Sequence, residues 1–246
     1  MPSISLSFDV DWAPDEVLQD TLSLLDSAQV KATFFATHRT QVLEKLDRDR
    51  YEIAVHPNFQ PLLEGRGGTT FREVLREGVG MYDGIVGFRS HGVVSSGAVS
   101  QFAREEGLSY ESNVYVPSPS AAFRDYDGLI RIPIYWSDYR EVLVGTPFDA
   151  EALALPEGPT LTFAFHPVHV FVNLENPRRY VETKHLSPAE KVQHRHVGAP
   201  KGIRDFLVEL LERTKRENIE TLTMREIVER HTALHGDAIA CHLLRT

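Results

Sequence analysis

Residues that can bind a metal ion or transfer a proton follow one short apolar run after another in this sequence. Each lies at, or just after, the end of a stretch that is typical of a β-strand: Asp9, Asp11, His56, Arg89, His91 and His166. Imidazole nitrogens and carboxylate oxygens are common ligands of zinc and similar divalent ions. The same side chains act as general acids and bases. The spacing therefore indicates a site for metal binding and proton transfer, built from residues far apart in the chain.

Asp9 and Asp11 form the first candidate pair. They directly follow the apolar run 4–8, and residues two apart on a strand point to the same face, so both carboxylates can reach one site. Asp11 could instead cap the helix predicted to start near Asp15. Two carboxylates after an apolar strand favour the functional interpretation.

Alternating strands and helices must position these residues. The apolar patterns predict strands at 4–8, 32–36, 52–55, 85–88, 110–116, 129–135, 160–165 and 220–223, and helices at 15–28, 71–82, 98–106, 203–217 and 224–230. About seven repeats of this unit predict an α/β fold, a distorted or incomplete (β/α) barrel of about seven strands. An open doubly wound sheet is the alternative. In both, the carboxyl ends of the strands share the face where active sites form.

Composition and charge narrow the remaining possibilities. The 246 residues suit a single domain over 1–246, with an irregular insert at about 172–200 that is typical of a lid, a binding loop or a flexible excursion. A net charge of -9 without a Lys/Arg run argues against nucleic-acid binding. We find no transmembrane segment and no signal peptide, so we expect a cytoplasmic location. The single cysteine, Cys241, excludes an internal disulfide.

The order of these motifs resembles that of the NodB-type polysaccharide deacetylases, carbohydrate esterase family four. The matching motifs are Phe8-Asp9-Val10-Asp11, Ala32-Thr33-Phe34-Phe35, His56, Arg89, Phe165-His166 and the closing stretches 202–211 and 221–227. The resemblance covers roughly the whole chain and rests on the order and spacing of the motifs together. It implies a NodB-like barrel and a metal-dependent deacetylase that removes an N-acetyl, or an O-acetyl, group from a sugar.

By this resemblance, Asp11 and His56 are metal ligands, and the cofactor is a divalent metal such as zinc. The family has a second histidine four residues after the first, but Gln60 occupies that position here. A third ligand must come from elsewhere, and His91, Asn58 and water are the candidates. His91 could instead line the substrate pocket.

The same resemblance assigns the residues that transfer protons. Asp9 is the general base, and Arg89 orients it. His166 is the general acid that protonates the departing amine. Asp138 loosely matches the family's Asp/Trp motif, whose acidic residue supports the arginine.

An acetylated amino sugar, or a nucleotide- or lipid-linked sugar intermediate of surface-polysaccharide synthesis, is the expected substrate. Trp12, Phe59 and Trp136 are expected to stack on sugar faces, and Asn58 and His169 are expected to contact the substrate. Two alternatives stay open. One is amide or cyclic-imide hydrolysis of a small non-sugar molecule, and the other is a non-catalytic carbohydrate-binding protein.

Overall fold

The computed structural model of the protein describes residues 1–195 and 199–236. Within these ranges ten strands form one sheet: β1 (Ser3–Asp9), β2 (Ala32–Ala36), β3 (Tyr51–Val55), β4 (Gly87–Phe88), β5 (Tyr110–Glu111), β6 (Phe123–Arg124), β7 (Ile130–Arg131), β8 (Ile134–Ser137), β9 (Thr160–Phe165) and β10 (Glu220–Thr221). The helices described there are α1 (Asp15–Ala28), α2 (Gln41–Glu44), α3 (Gln60–Leu63), α4 (Phe71–Val79), α5 (Gly97–Glu105), α6 (Asp138–Val144), α7 (Pro167–Val172), α8 (Pro177–Thr183), α9 (Pro188–Gln193), α10 (Ile203–Arg216) and α11 (Met224–His235). Cys241 and part of the predicted insert lie outside the described residues, and the single domain over 1–246 stays a prediction.

The sheet curls into a distorted barrel. Nine of these strands follow the order β6-β7-β5-β4-β3-β2-β1-β9-β8, and β10 pairs with β1. Every pair is parallel except β6 with β7. The segment 130–137 joins the two ends of this order, because β7 pairs with β5, β8 pairs with β9, and a bridge connects Tyr115 to Ile134. The prediction of a distorted α/β barrel is therefore confirmed, and the parallel strands end at one rim.

Alternation along β1 separates an apolar outer layer from a polar interior. Ile4, Leu6 and Phe8 pack in the main hydrophobic core with residues of α1 and α10. The Phe8 ring stacks on Phe34 and on Phe165, with centroid separations of 5.2 and 5.6 Å. Each fully buried phenylalanine contributes about 1.5–3 kcal/mol. The alternate residues Ser5, Ser7 and Asp9 face the barrel interior, so polar groups occupy the inner face while the outer layer supplies the stability.

The prediction of one strand over 129–135 is wrong. The chain forms β7 and β8 there, and Pro133 lies between them. Proline has no N–H group for a strand ladder, so the chain changes partner at this residue. The break matters for the site, because it directs β8 towards β9 and places Asp138 beside the end of that strand.

The description of 172–200 as irregular is also wrong for the part that the structure describes. Helices α8 and α9 lie there. The Asn176 side chain accepts a hydrogen bond from Arg179 N at 2.9 Å, and Pro177 opens α8 at the position where helices tolerate proline. Ser187 and Glu190 are hydrogen-bonded to each other at the start of α9. Within 1–195 and 199–236, none of the helices is both long and apolar enough to traverse a lipid bilayer.

Candidate active site

The carboxyl ends of the strands open into a cavity of about 490 Å³. Asp9 and Asp11 reach it from β1, His56 from the end of β3, and His166 from the end of β9. His91 lines the same cavity from a short 3₁₀ turn after β4. The rim of the parallel barrel thus brings these side chains together, at the end of the barrel where active sites form in such folds.

Asp11, His56 and His91, which we call the open cluster, meet at one carboxylate oxygen. His56 Nε2 lies 3.2 Å and His91 Nδ1 lies 3.0 Å from Asp11 Oδ1. The His56 ring is buried, and its Nδ1 has no hydrogen-bond partner within the described parts of the chain. One ligand atom from each residue lies within 4.8 Å of the other two. Two imidazoles and a carboxylate are a ligand set that catalytic zinc sites use, with the fourth position open, so the residues fit a divalent ion.

A tight turn directs Asp11 into the cavity. Asp11 and Trp12 have φ angles of 45° and 56°, in the left-handed region that residues other than glycine rarely adopt. Ala13 N donates to Val10 O at 2.8 Å, and Trp12 N donates to Thr37 Oγ1 at 2.9 Å, which holds the turn against β2. The conformation places the second carboxylate beside the histidines rather than along the strand.

The histidines change the electrostatics of Asp11. Burial alone would raise its pKa, but hydrogen bonds from His56 and His91 outweigh burial and hold the pKa well below its ordinary value. The hydrogen bond to Asp11 in turn raises the pKa of His91. An ion at this cluster would therefore compete with protons, as metal binding by histidine generally does.

Asp9 is paired with a buried arginine. Arg89 Nη1 donates to Asp9 Oδ1 at 2.8 Å and to Ser7 Oγ at 3.0 Å. The other nitrogens of the guanidinium donate to the carbonyl oxygen and the hydroxyl of Ser112 at 3.0 and 2.9 Å, and the ring of Phe35 lies 4.4 Å away. Each guanidinium nitrogen has a fixed acceptor, so Arg89 holds the Asp9 carboxylate in one orientation.

Asp138, His166 and His169, which we call the closed cluster, meet just beyond the end of β9. Asp138 is fully buried at the start of α6. His166 Nδ1 lies 2.7 Å from Asp138 Oδ1, and His169 Nδ1 lies 3.1 Å from Asp138 Oδ2. The backbone N–H of His166 also donates to Oδ2 at 2.6 Å. Both carboxylate oxygens are therefore occupied by hydrogen bonds.

The closed cluster favours a protonated His166. Burial lowers the pKa of the imidazole, but the charge and hydrogen bond of Asp138 outweigh it and raise the pKa to about 10. Burial would raise the pKa of Asp138, and the two histidines hold it below its ordinary value instead. His166 Nε2 faces the open cluster, 3.5 Å from Asp11 Oδ2. A proton held on His166 is thus available beside the open cluster.

Two predicted substrate contacts are wrong, because their rings belong to the hydrophobic core. Phe59 has no exposed surface and packs on Phe71 at 5.1 Å between centroids. Trp136 is 6% exposed and stacks on Phe206 at 4.3 Å with an interplanar angle of 10°. Neither ring can stack on a sugar without leaving its packing partners.

The other predicted contacts lie at or near the cavity. Trp12 is 51% exposed, and its ring meets His91 edge-on at 5.5 Å. His169 lines the cavity. Asn58 is not among the lining residues, and its Oδ1 accepts a hydrogen bond from Gln60 N at 3.0 Å. This bond closes a short turn just before α3, so Asn58 has a local structural partner.

Tyr139 and Tyr180 also line the cavity, and the sequence interpretation did not include them. Tyr139 directly follows Asp138 in the chain, so its place beside a predicted site residue is a signal that the sequence does contain. Tyr180 lies in the predicted insert, on α8. Its place is determined by the packing of that helix, and nothing in the local sequence indicates it.

Comparison with known families agrees with this geometry. Residues 6–184 match the family described as "WbmS-like: Polysaccharide deacetylase". The chain belongs to this family of polysaccharide deacetylases, and the resemblance to the NodB-type enzymes is confirmed. No curated protein matches the chain.

One solved structure supports the same assignment, and two others share the fold. WbmS of Bordetella bronchiseptica, described as a polysaccharide deacetylase involved in O-antigen biosynthesis, is 35% identical, with a TM-score of 0.79 over 85% of this chain and 90% of that one. A polysaccharide deacetylase of Mycobacterium smegmatis shares the fold at 18% identity, with a TM-score of 0.54 over 95% of this chain and 91% of that one. The peptidoglycan deacetylase PdaC of Bacillus subtilis does so at 14% identity, with a TM-score of 0.52 over 94% and 93% of the two chains.

Proposed function

We propose that the protein hydrolyses the N-acetyl group of an amino sugar, with a divalent metal as cofactor, in the biosynthesis of a surface polysaccharide. Family membership supports deacetylation, and the O-antigen assignment of the Bordetella bronchiseptica relative supports the pathway class. The observation that carries the proposal is the 3.5 Å approach of His166 Nε2 to Asp11 Oδ2, because it puts a proton donor opposite a metal-ligand set.

Asp11, His56 and His91 would hold the ion, and zinc suits their donor atoms. His91 would take the role of the missing second histidine. Its backbone N–H donates to Pro57 O at 3.0 Å, which fixes His91 beside the segment that follows His56. A divalent ion held there would polarise a carbonyl oxygen and lower the pKa of a bound water molecule.

Asp9 is the general base in this proposal. Its carboxylate lines the cavity, and Arg89 orients it by a direct hydrogen bond. It takes a proton from the water molecule that attacks the acetyl carbon. The backbone N–H groups of Ser90 and His91 already donate to Asn113 and Pro57, so neither is free to stabilise the developing oxyanion.

His166 is the general acid. Asp138 keeps its imidazole protonated and fixes Nδ1, which leaves the proton on Nε2 to be given to the leaving nitrogen. C–N cleavage then produces acetate and a free amino sugar. The reaction balances with one water molecule and needs no oxidant or reductant.

The test is acetate release by the zinc-loaded full chain from N-acetylglucosamine, N-acetylgalactosamine, N-acetylmannosamine and their nucleotide-linked forms, with small cyclic amides as the competing substrates. We expect acetate from at least one acetylated sugar and none from that sugar with Asp9→Asn. Turnover of cyclic amides alone would replace the proposal with small-molecule amide hydrolysis. Sugar binding without acetate release would identify a non-catalytic binding protein.

A further inference from the structure

Three rings form a compact aromatic group beside the general acid, because the ring of His169 lies 4.6 Å from that of His166 between centroids. Tyr139 stacks on His169 at 6.4 Å between centroids with an interplanar angle of 20°. Tyr180 meets Tyr139 edge-on at 5.4 Å and His169 edge-on at 5.7 Å. Both tyrosines line the cavity, and 40% of Tyr139 is exposed. We call Tyr139 and Tyr180 the aromatic wall.

The aromatic wall is held rigidly with respect to the general acid. Tyr139 follows Asp138 directly, and His169, which packs against both tyrosines, is hydrogen-bonded to Asp138 Oδ2. Tyr180 is fixed through α8, which begins at the Asn176 cap and carries a buried Thr183. The two rings therefore keep a set distance from the imidazole that donates the proton.

The location of the aromatic wall in the cavity decides which part of a substrate it can contact. The acetyl carbonyl belongs at the open cluster, and the leaving nitrogen belongs next to His166 Nε2. The sugar ring that carries this nitrogen must then extend away from the open cluster. The aromatic wall packs on His169, whose ring lies 4.6 Å from that of His166, so it borders the position of the leaving nitrogen.

We propose that Tyr139 and Tyr180 bind the sugar ring of the leaving amine and so determine which amino sugar the protein accepts. The inference rests on the proposed function. Tyrosine offers an apolar face for the C–H groups of a sugar and a hydroxyl for its polar edge, a combination that suits a ring with both kinds of surface. The two core aromatics, Phe59 and Trp136, cannot supply this surface.

The two products, acetate and the amino sugar, should occupy different parts of the cavity, so their separate affinities test the inference. Calorimetry on the zinc-loaded full chain would give Kd for acetate and for glucosamine, galactosamine and mannosamine. For the amino sugar that binds best, Tyr180→Ala and Tyr139→Ala should each raise Kd about tenfold, the loss expected for one aromatic contact. The Kd of acetate should stay within about twofold, because acetate occupies the open cluster. Tyr180→Phe should keep most of the affinity.

Tyr126→Ala is the matched control, since this exposed tyrosine does not line the cavity. Failure of the wild type to bind any of the three amino sugars would overturn the inference. Equal losses for amino sugar and acetate would also overturn it, because they would show a general collapse of the cavity. The proposed function fails by a different result, the absence of acetate release from every acetylated sugar, while selective loss of amino-sugar binding would still support the aromatic wall.

Discussion

The open and closed clusters contain the same residue types, one aspartate and two histidines, but they differ in how the histidines meet the carboxylate. In the open cluster both imidazole nitrogens approach a single oxygen of Asp11, whose side chain is 22% exposed. In the closed cluster each imidazole has its own oxygen of Asp138, whose side chain has no exposure.

This difference explains why one cluster suits a cation and the other suits protons. Three donor atoms that converge on one region can share an ion, whereas a carboxylate with both oxygens hydrogen-bonded to separate imidazoles stabilises charge on those rings. Burial strengthens the second effect, because the interaction of charges is less screened there. Residue composition alone would assign both clusters to metal, and the pattern of atoms separates them.

The largest expected effect tests the open cluster. Asp11→Asn or His56→Ala should reduce acetate release by several orders of magnitude, because carbonyl polarisation and water activation both depend on the ion, and each is worth several kcal/mol. Metal stoichiometry by plasma mass spectrometry should fall from one per chain towards zero. Asp15→Asn, at an exposed position of α1, is the control. Full metal content in both open-cluster variants would assign the ion elsewhere.

Loss of the general acid should be smaller and should leave the metal in place. His166→Gln is expected to lower kcat by about 10²–10⁴-fold, the usual contribution of general acid–base catalysis. Metal content should match the wild type, which separates this variant from those of the open cluster. His185→Gln, on an exposed turn, provides the comparison. If His166→Gln also loses the ion, the closed cluster is part of the metal site.

The pH dependence should identify the role of Asp138. His166 has a folded-state pKa raised from 6.5 to about 10, so its stabilising contribution is complete below pH 6.5 and is lost as the pH rises towards 10. The basic limb of kcat/KM should therefore lie above pH 6.5, and Asp138→Asn should move it down towards that value. A bound cation would offset the charge of Asp11 and lower the limb in both proteins.

The same variant has a stability signature. Removing the charge of Asp138 should cost about 3–5 kcal/mol of unfolding free energy near pH 6, as is typical when one partner of a buried pair is lost. Urea unfolding should show this difference shrinking between pH 7 and pH 10. A difference that grows with pH would contradict a protonated His166.

The smallest effect concerns the ion as a stabilising ligand. Chelation should lower the unfolding free energy of the wild type by about 2.7 kcal/mol if the free metal was at a hundred times Kd. His166→Gln should show the same loss on chelation, and Asp11→Asn should show none. Thermal unfolding with and without chelator measures all three, and a chelator effect in Asp11→Asn would point to a second metal site.

The sequence predicted the convergence of site residues because the geometry of parallel strands requires it. Residues at the ends of β1, β3, β4 and β9 must meet at one rim, whatever the loops do, so Asp9, His56 and His166 could be grouped without coordinates. The turn conformation of Asp11 and the bridging position of Asp138 depend on tertiary contacts. Only the loose family match indicated Asp138.

The aromatic residues show what sequence could not provide. Phe59, Trp136, Tyr139 and Tyr180 all belong to segments near the site, and nothing in their types separates a core ring from a cavity ring. Their burial depends on which helix packs behind them: Trp136 meets Phe206 of α10, while Tyr180 is carried to the cavity by α8. The sequence interpretation does not include α8, because its Asn176-Pro177 start is also typical of a loop.

The left-handed turn at Asp11 and Trp12 implies a trade-off between thermal stability and catalytic rate. Residues other than glycine in this conformation cost of order 1–3 kcal/mol each, so the fold tolerates a locally unfavourable backbone at the residue that its chemistry needs. Directed evolution for heat resistance would favour relaxing this turn, and a relaxed turn would let the Asp11 carboxylate drift from its histidines. Heat-resistant variants obtained through this turn should therefore be slower enzymes, whereas stabilising changes in the outer helical layer should carry no such penalty.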